Sequence, residues 1–316
     1  MDNLSHTLVG AAIANSGPRQ KFGKAATWTL LVTANLPDID AVLRFWGRDF
    51  YILYHRSFTH SVVGLFTIPL LVAGVIRILW PGKRFWTFYW ISFLGILSHQ
   101  IFDLITSWET LIFHPLNQHR FSLGWVFILD FFFWGILGLP LLIRIFWKID
   151  LRKWSRVSLA VLALYIGFAG GNWWKARDLG RDLAAGLGSG AALIGVYPQP
   201  LSPLNWGAIV KADGQLHQVF FHTYDSLATL HQRPNRTFVQ NLDNPDVKAA
   251  LATPPGRAYL KWAQAPAALV EQNGEGPVVI LYDVRFLRPE GGPQRWFHLT
   301  IEMDENRRYL RHSWGS

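Results

Sequence analysis

Apolar residues are gathered into long runs over the first half of this chain and scattered over the second. The runs occupy roughly 25–43, 61–79, 86–106, 125–147 and 157–174, each near the ~20 residues a helix needs to cross a bilayer. The second run has no charge before Arg77, and 125–146 carries only Asp130 and Arg144. A shorter apolar stretch, 4–15, begins with Ser5 and His6 and is broken by Gly17-Pro18. Its length predicts a re-entrant or half-length helix. Residues 1–175 therefore read as an α-helical polytopic membrane domain of about five spans plus a short N-terminal helix. In the last run, Gly167 and Gly171 have the spacing that lets helices pack closely.

The pattern changes after residue 175. An Ala/Gly-rich stretch, 184–194, leads into Tyr197-Pro-Gln-Pro-Leu-Ser-Pro203, so 176–200 is expected to be a linker. Residues 201–316 read as a soluble α+β domain, mainly antiparallel β. Runs 206–211 and 215–223 flank Asp213-Gly214, a hairpin signal. Strand-like runs at 277–287 and 294–303 are joined by a Gly/Pro turn, and 307–313 closes a further hairpin. Residues 245–270 look helical, interrupted at Pro254-Pro255.

The net charge of +9 over 316 residues raises the possibility of nucleic acid, but its distribution argues against it. Arg19, Lys21 and Lys24 precede the first run; Arg77, Lys83 and Arg84 follow the second. Arg144, Lys148, Arg152, Lys153 and Arg156 lie between the last two. By the positive-inside rule these loops are cytoplasmic. The opposite loops carry fewer basic residues, Arg44, Arg48 and Arg56 in one and Arg120 in the other. The C-terminal domain then lies outside, which in a Gram-negative cell is the periplasm. The N-terminus has no basic region, so the first span rather than a cleaved signal is expected to direct insertion. With no cysteine, disulfides and thiolate metal sites are excluded.

On this topology the residues able to do chemistry fall on one side. Asp38 and Asp40 end the first run on its outer side, and His55 and His60 lie in the outer loop. His99 and Asp103 sit one helical turn apart near the outer end of the third. Their types are those of an oxygen/imidazole metal site. A histidine at a membrane interface is more often a hydrogen-bonded surface group, and an aspartate at a helix end is often a cap. The His99/Asp103 pair is harder to explain so, because Ile101, Phe102, Leu104 and Ile105 around it are apolar and ionisable groups at depth are costly. His6 is a further candidate ligand. Arg56 is suited to a phosphate or carboxylate. Thr59 and Ser61 are natural hydrogen-bond donors to ligating groups, and Asp130 could support them. Three histidines favour Zn²⁺, while the carboxylates also suit Mn²⁺ or Mg²⁺.

Four motifs carry a resemblance: Ser5-His6-Thr-Leu-Val-Gly10, Asn35-Leu-Pro-Asp-Ile-Asp40, His55-Arg-Ser-Phe-Thr-His60-Ser and Ser98-His99-Gln-Ile-Phe-Asp103. In this order they resemble the YdjM-type inner-membrane metal-dependent hydrolases, a family with LexA-regulated members. Thr106-Ser-Trp and Phe127-Ile-Leu-Asp130 look like its later motifs. Ser57 stands where the family motif has Gly. The resemblance covers about residues 1–150. It implies an inner-membrane, metal-dependent hydrolase with Asp38, Asp40, His60, His99 and Asp103 as ligands, His6 and His55 as further ones, and Arg56 and Asp40 in catalysis. The His/Asp order is also similar to that of zinc-dependent phospholipase C and S1-type nucleases. That similarity implies a phosphoester substrate, and the membrane setting a lipid-linked one. Two other classes remain open at this point. One is an ion transporter. The other is a metal-stabilised anchor presenting a periplasmic binding domain.

Overall fold

The computed structural model of the protein describes residues 1–287 and 297–315. The chain divides into two compact units. The first holds Met1–Val42, Arg56–Trp173 and Pro198–Pro203, and the second holds Leu43–His55, Trp174–Tyr197 and Leu204–Ser316. The leading helices are α1 (Asn3–Ser16), α2 (Pro18–Phe22), α3 (Lys24–Thr33), α4 (Arg48–Tyr54), α5 (Val62–Leu79), α6 (Phe85–Leu104), α7 (Phe131–Phe146) and α8 (Leu151–Gly186). Then come β1 (Ala192–Pro198), β2 (Asn205–Ala212), β3 (Gln215–His222), α9 (Leu227–Gln232), β4 (Asn235–Val239), α10 (Pro245–Ala252) and α11 (Pro254–Trp262). Four strands finish the chain: β5 (Pro266–Asn273), β6 (Gly276–Asp283), β7 (Leu299–Met303) and β8 (Tyr309–Trp314).

In the first unit α1, α3 and α5 all pack on α6. The α3–α6 contact is tight for a reason visible in the residues. A Cβ on Gly95 would stand 2.0 Å from Thr33 Oγ1, and one on Gly10 would stand 2.9 Å from the Leu30 carbonyl. These two glycines let α1, α3 and α6 approach at backbone distance. Leu30, Phe88, Tyr89 and Ile91 fill the apolar space there, and Phe102, Val126, Phe133 and Leu137 fill that beside α7.

The sequence pattern suggests five spans. Among the described residues two helices, α5 and α8, are long and apolar enough to cross a membrane, and α7 is a shorter apolar helix. The first run stops as α-helix at Thr33, because Pro37 lacks an amide hydrogen and Leu36–Trp46 winds as a 3-10 turn. The third run is α6, whose buried side carries Ser92, Ser98, His99, Gln100 and Asp103. The fourth begins only at Phe131, because the Asp130 carboxylate accepts from the amides of Phe132 and Phe133 and caps the helix. Gly167 and Gly171 meet nothing within 4 Å. The close packing is at Gly170, where a Cβ would lie 3.2 Å from the Trp125 indole.

The second unit contains two four-stranded sheets, ordered β1-β2-β3-β4 and β5-β6-β7-β8. The β2–β3 pair is antiparallel and closes Ala212 on Gln215. Asp213 and Gly214, at φ 49° and 74°, make that two-residue turn in the left-handed region it requires. Helices α10 and α11 break at Pro254-Pro255 as the sequence suggests. Residues 266–270, however, are strand and not helix, because β5 pairs with β6 along its whole length. Residues 294–296, and the turn expected before them, lie outside the described residues. α8 continues through 176–186 and β1 follows, in the stretch where the sequence suggests a linker. α4 also folds here. Trp314 Nε1 donates to Asp49 Oδ1 at 2.6 Å, and Arg48 Nη1 donates to the Gly315 carbonyl at 2.8 Å.

Candidate metal centre

Three local structures converge in the first unit. The 3-10 turn Leu36–Trp46 carries Asp38 and Asp40. The 3-10 turn Phe58–His60 ends in His60. The last turn of α6 presents His99 and Asp103 from one face. Ser61 fixes the second of these by capping α5, its hydroxyl accepting from the Gly64 amide at 3.0 Å. Gln100 Nε2 donates to the Ser61 carbonyl at 3.1 Å, which ties that turn to α6.

One ligand atom from each of Asp38, His60, His99 and Asp103 lies within 4.8 Å of the others. His60 Nε2 is 3.5 Å from Asp38 Oδ1, 3.1 Å from Asp103 Oδ2 and 3.0 Å from His99 Nε2. His99 Nε2 is 3.6 Å from Asp38 Oδ1 and 3.3 Å from Asp103 Oδ2. Ligands about 2.0–2.1 Å from a tetrahedral zinc stand about 3.3–3.4 Å from one another. The five separations bracket that edge. His60, His99 and Asp103 are fully buried, while the Asp38 side chain is 16% exposed and opens the cluster to its surroundings.

The hydrogen bonds around the cluster turn lone pairs inward. The Ala34 carbonyl only accepts, so His99 Nδ1, 2.8 Å away, carries the ring hydrogen and Nε2 offers its lone pair to the cluster. His60 Nδ1 faces Asp40 Oδ2 at 3.3 Å and Thr59 Oγ1 at 2.9 Å. Asp40 thus lies on the outer nitrogen of His60, with Asp38 and Asp103 on the inner one. Burial opposes a charged His60 ring. Hydrogen bonds to Asp103, Asp38 and Asp40 outweigh that and push its pKa up to about 10. A cation is what these groups favour between them. Both ring nitrogens of His6 are buried without a hydrogen bond among the described residues. Orphaned donors of this kind fit a metal ion.

His6 stacks on His99 with ring centroids 3.8 Å apart, and its Nε2 is 3.4 Å from Asp103 Oδ1. The same oxygen receives Arg56 Nη2 at 2.8 Å and an ion pair from the Met1 amino group. Arg56 is held at φ 59°, an uncommon conformation for a non-glycine residue. Its amide donates to Asp40 Oδ2 at 2.9 Å, its carbonyl accepts from the Leu111 amide at 2.9 Å, and Nη1 donates to the Trp108 carbonyl at 2.8 Å. Thr59 Oγ1 donates to Asp40 Oδ2 at 2.8 Å.

Of the other candidates, His55 ends α4 and stacks on Tyr51. Asp130 caps α7 and accepts from the Tyr165 hydroxyl at 2.6 Å. Sequence reasoning passed over Ala34, Gln100 and Trp108, which act through backbone carbonyls or a neutral amide and leave no ionisable mark.

The YdjM inner membrane protein family matches residues 1–176, more than half of the chain and every residue of the cluster. The chain belongs to that family. A Bacillus subtilis relative, "Uncharacterized protein YfhP", is 23% identical over 137 residues, 41% of this chain and 42% of that protein. The Escherichia coli "Inner membrane protein YbcI" is 31% identical over 100 residues, 30% of this chain and 56% of that one. The chain spans about half the length of these curated relatives. No solved structure matches it.

Proposed function

We propose that the protein is a divalent-metal-dependent hydrolase of phosphoesters carried on lipids, working at the outer face of the inner membrane. The near-tetrahedral spacing of the Asp38, His60, His99 and Asp103 donor atoms carries this reading. Two imidazoles and two carboxylates suit Zn²⁺ best, with Mn²⁺ as the next fit. His6 and Asp40 complete the set around them, His6 beside Asp103 Oδ1 and Asp40 by orienting His60.

A bound cation supplies Lewis acidity, which draws the pKa of water towards ~7 and polarises a phosphoryl oxygen. The chain's own groups do the rest. Asp38 is the cluster carboxylate open to solvent, and its Oδ2, 3.3 Å from Asn3 Nδ2, is placed to take the proton of the attacking water. Arg56 stabilises negative charge gathering on the phosphoryl oxygens. Water adds to phosphorus, the ester P–O bond breaks, and the alcohol leaves with a proton. The segment 43–55 leaves the cluster after Asp40, folds in the second unit and returns at Arg56 without a membrane-length helix. The basic residues gathered in the loops on the opposite side support an extracytoplasmic C-terminal domain.

The test is phosphate release from alkyl phosphates by the protein in nanodiscs, loaded in turn with Zn²⁺, Mn²⁺ and Mg²⁺. Turnover should require the metal and vanish in His60→Ala and Asp103→Asn while the helical circular dichroism is kept. No release under any loading sinks the hydrolase reading. Equal rates on short-chain and long-chain alkyl phosphates sink the lipid one.

A further inference from the structure

Two apolar grooves of similar size mark the first unit. One, of about 670 Å³, lies between α7 and α8 and has no cluster residue or cluster partner in its walls. The other, about 640 Å³, runs between α3 and α5 with Phe88 of α6 in its wall. Its near end is made by Leu36, Ile39, Phe58 and Thr59. These are the chain neighbours of Asp38, Asp40 and His60, and Thr59 itself bonds Asp40 and contacts His60. Its far end is closed by Trp80 and Lys83, beyond the C-terminus of α5.

Only Thr29, Thr59 and Lys83 interrupt the apolar lining. The Thr29 hydroxyl donates to the Ala25 carbonyl of its own helix, and that of Thr59 to Asp40. The two hydroxyls along the groove are thus already committed, so its walls suit hydrocarbon and not a polar chain. Trp28, Val32, Leu71 and Val75 on its lips are each more than half exposed. α5 is 18 residues long, about 27 Å at the helical rise, close to the ~30 Å hydrocarbon core of a bilayer.

We infer that this groove is the tail site for the substrate: it takes the single long hydrocarbon chain of a lipid phosphoester whose phosphate lies at the cluster. The inference rests on the proposed hydrolase reading for the headgroup. The tail assignment comes from the groove itself, through its dry lining, its length and its continuity with the Asp38 turn and Thr59. Chain length is then a specificity determinant. A short-chain phosphate leaves most of the apolar wall without packing contacts from the substrate.

The experiment is photolabelling in phosphatidylcholine nanodiscs with hexadecyl phosphate bearing a diazirine near its chain end. Adducts are mapped by mass spectrometry. They should fall on Val32, Leu71 and Val75 at least fivefold above Phe66 and Leu70, which lie on another face of α5 and do not line the groove. Excess unlabelled hexadecyl phosphate should suppress them, and hexadecanol should not. Val75→Trp should cut labelling at least fivefold, with Leu70→Trp unchanged and metal content equal in both. Labelling spread evenly over α5, or insensitive to the phosphate competitor, means bulk lipid contact and overturns the inference. So does a disulfide between two chains of a Val75→Cys variant, formed under mild oxidation, which would make the groove a self-association face. Phosphate release from hexadecyl phosphate is scored separately. Labelling without release leaves the groove and removes the hydrolase, and release without labelling does the reverse.

Discussion

The Nε2 atoms of His60 and His99 face each other 3.0 Å apart. His99 cannot resolve this by moving its hydrogen, since Nδ1 is committed to Ala34. Two lone pairs at that distance repel unless a cation stands between them, a proton or a metal. His60 has its pKa raised from 6.5 to about 10, chiefly by hydrogen bonds to Asp103, Asp38 and Asp40 working against burial. Metal binding must therefore expel a proton.

The first prediction follows from the sign of that shift. Apparent metal affinity should rise about tenfold per pH unit as pH increases below about 10, for one proton displaced. The metal-free protein behaves oppositely. The raised pKa makes the His60 contribution to its stability fully present below pH 6.5 and lost as pH climbs through about 10. Calorimetry at pH 7 in buffers of different ionisation enthalpy should count about one proton released per ion. Zero release would show that His60 is not a ligand.

Arg56 separates binding from turnover. Its guanidinium competes with any cation for Asp103 Oδ1, 2.8 Å away. Arg56→Gln should leave metal affinity equal or higher while kcat/KM on a phosphoester falls tenfold or more. Arg56→Lys should recover little, because one ammonium cannot serve both Asp103 and the Trp108 carbonyl as the planar fork does. Parallel loss of metal and activity in Arg56→Gln would reduce the residue to a structural clamp.

Much of this was legible in the chain, and the failures have causes. The residues of the cluster stand out because ionisable groups near apolar runs are conspicuous, and the Asp213-Gly214 hairpin because its turn demands those residues. Run length suggests five spans. Among the described residues two of the runs hold helices long and apolar enough to cross a membrane, while Pro37 and Asp130 bound shorter helices inside two others. α6 looks like a span by length, yet its buried polar side makes it the helix on which the others pack. Strand β5 was hidden because 245–270 keeps a helix-compatible composition, and only pairing with β6 selects the strand. The Asp38/Asp40 pair reads as two equal ligands in sequence. The division of labour, Asp38 inward and Asp40 behind His60, depends on a 3-10 turn that spacing does not specify.

That division gives a third prediction. Asp40→Asn keeps an oxygen for the Arg56 amide and the Thr59 hydroxyl but removes the charge facing His60 Nδ1. Partners behind a ligating histidine are worth 10–100-fold in metal affinity or activity, roughly. Kd for Zn²⁺ should weaken by about that factor, and the thermal midpoint of the metal-free protein at pH 7 should fall, because one of the three carboxylates holding His60 charged is lost. Complete loss of metal would put Asp40 in direct contact with the ion instead.

The last prediction concerns the scaffold that aims His99. Gly95 lies one turn before His99 on α6, and its missing side chain makes room for Thr33, the neighbour of Ala34. A methyl at Gly95 would meet Thr33 Oγ1 at 2.0 Å and the Ala34 amide at 3.3 Å. α3 must then move away, at about 1–3 kcal/mol for overpacking of this kind. Because the Ala34 carbonyl holds His99 Nδ1, the same movement loosens the ring that faces the cluster. Gly95→Ala should lower both thermal stability and metal affinity. Adding Thr33→Ala removes the 2.0 Å clash and should restore part of each, a coupling expected only of residues in direct contact. Stability that falls without any change in metal affinity would show that His99 keeps its aim without the α3–α6 contact.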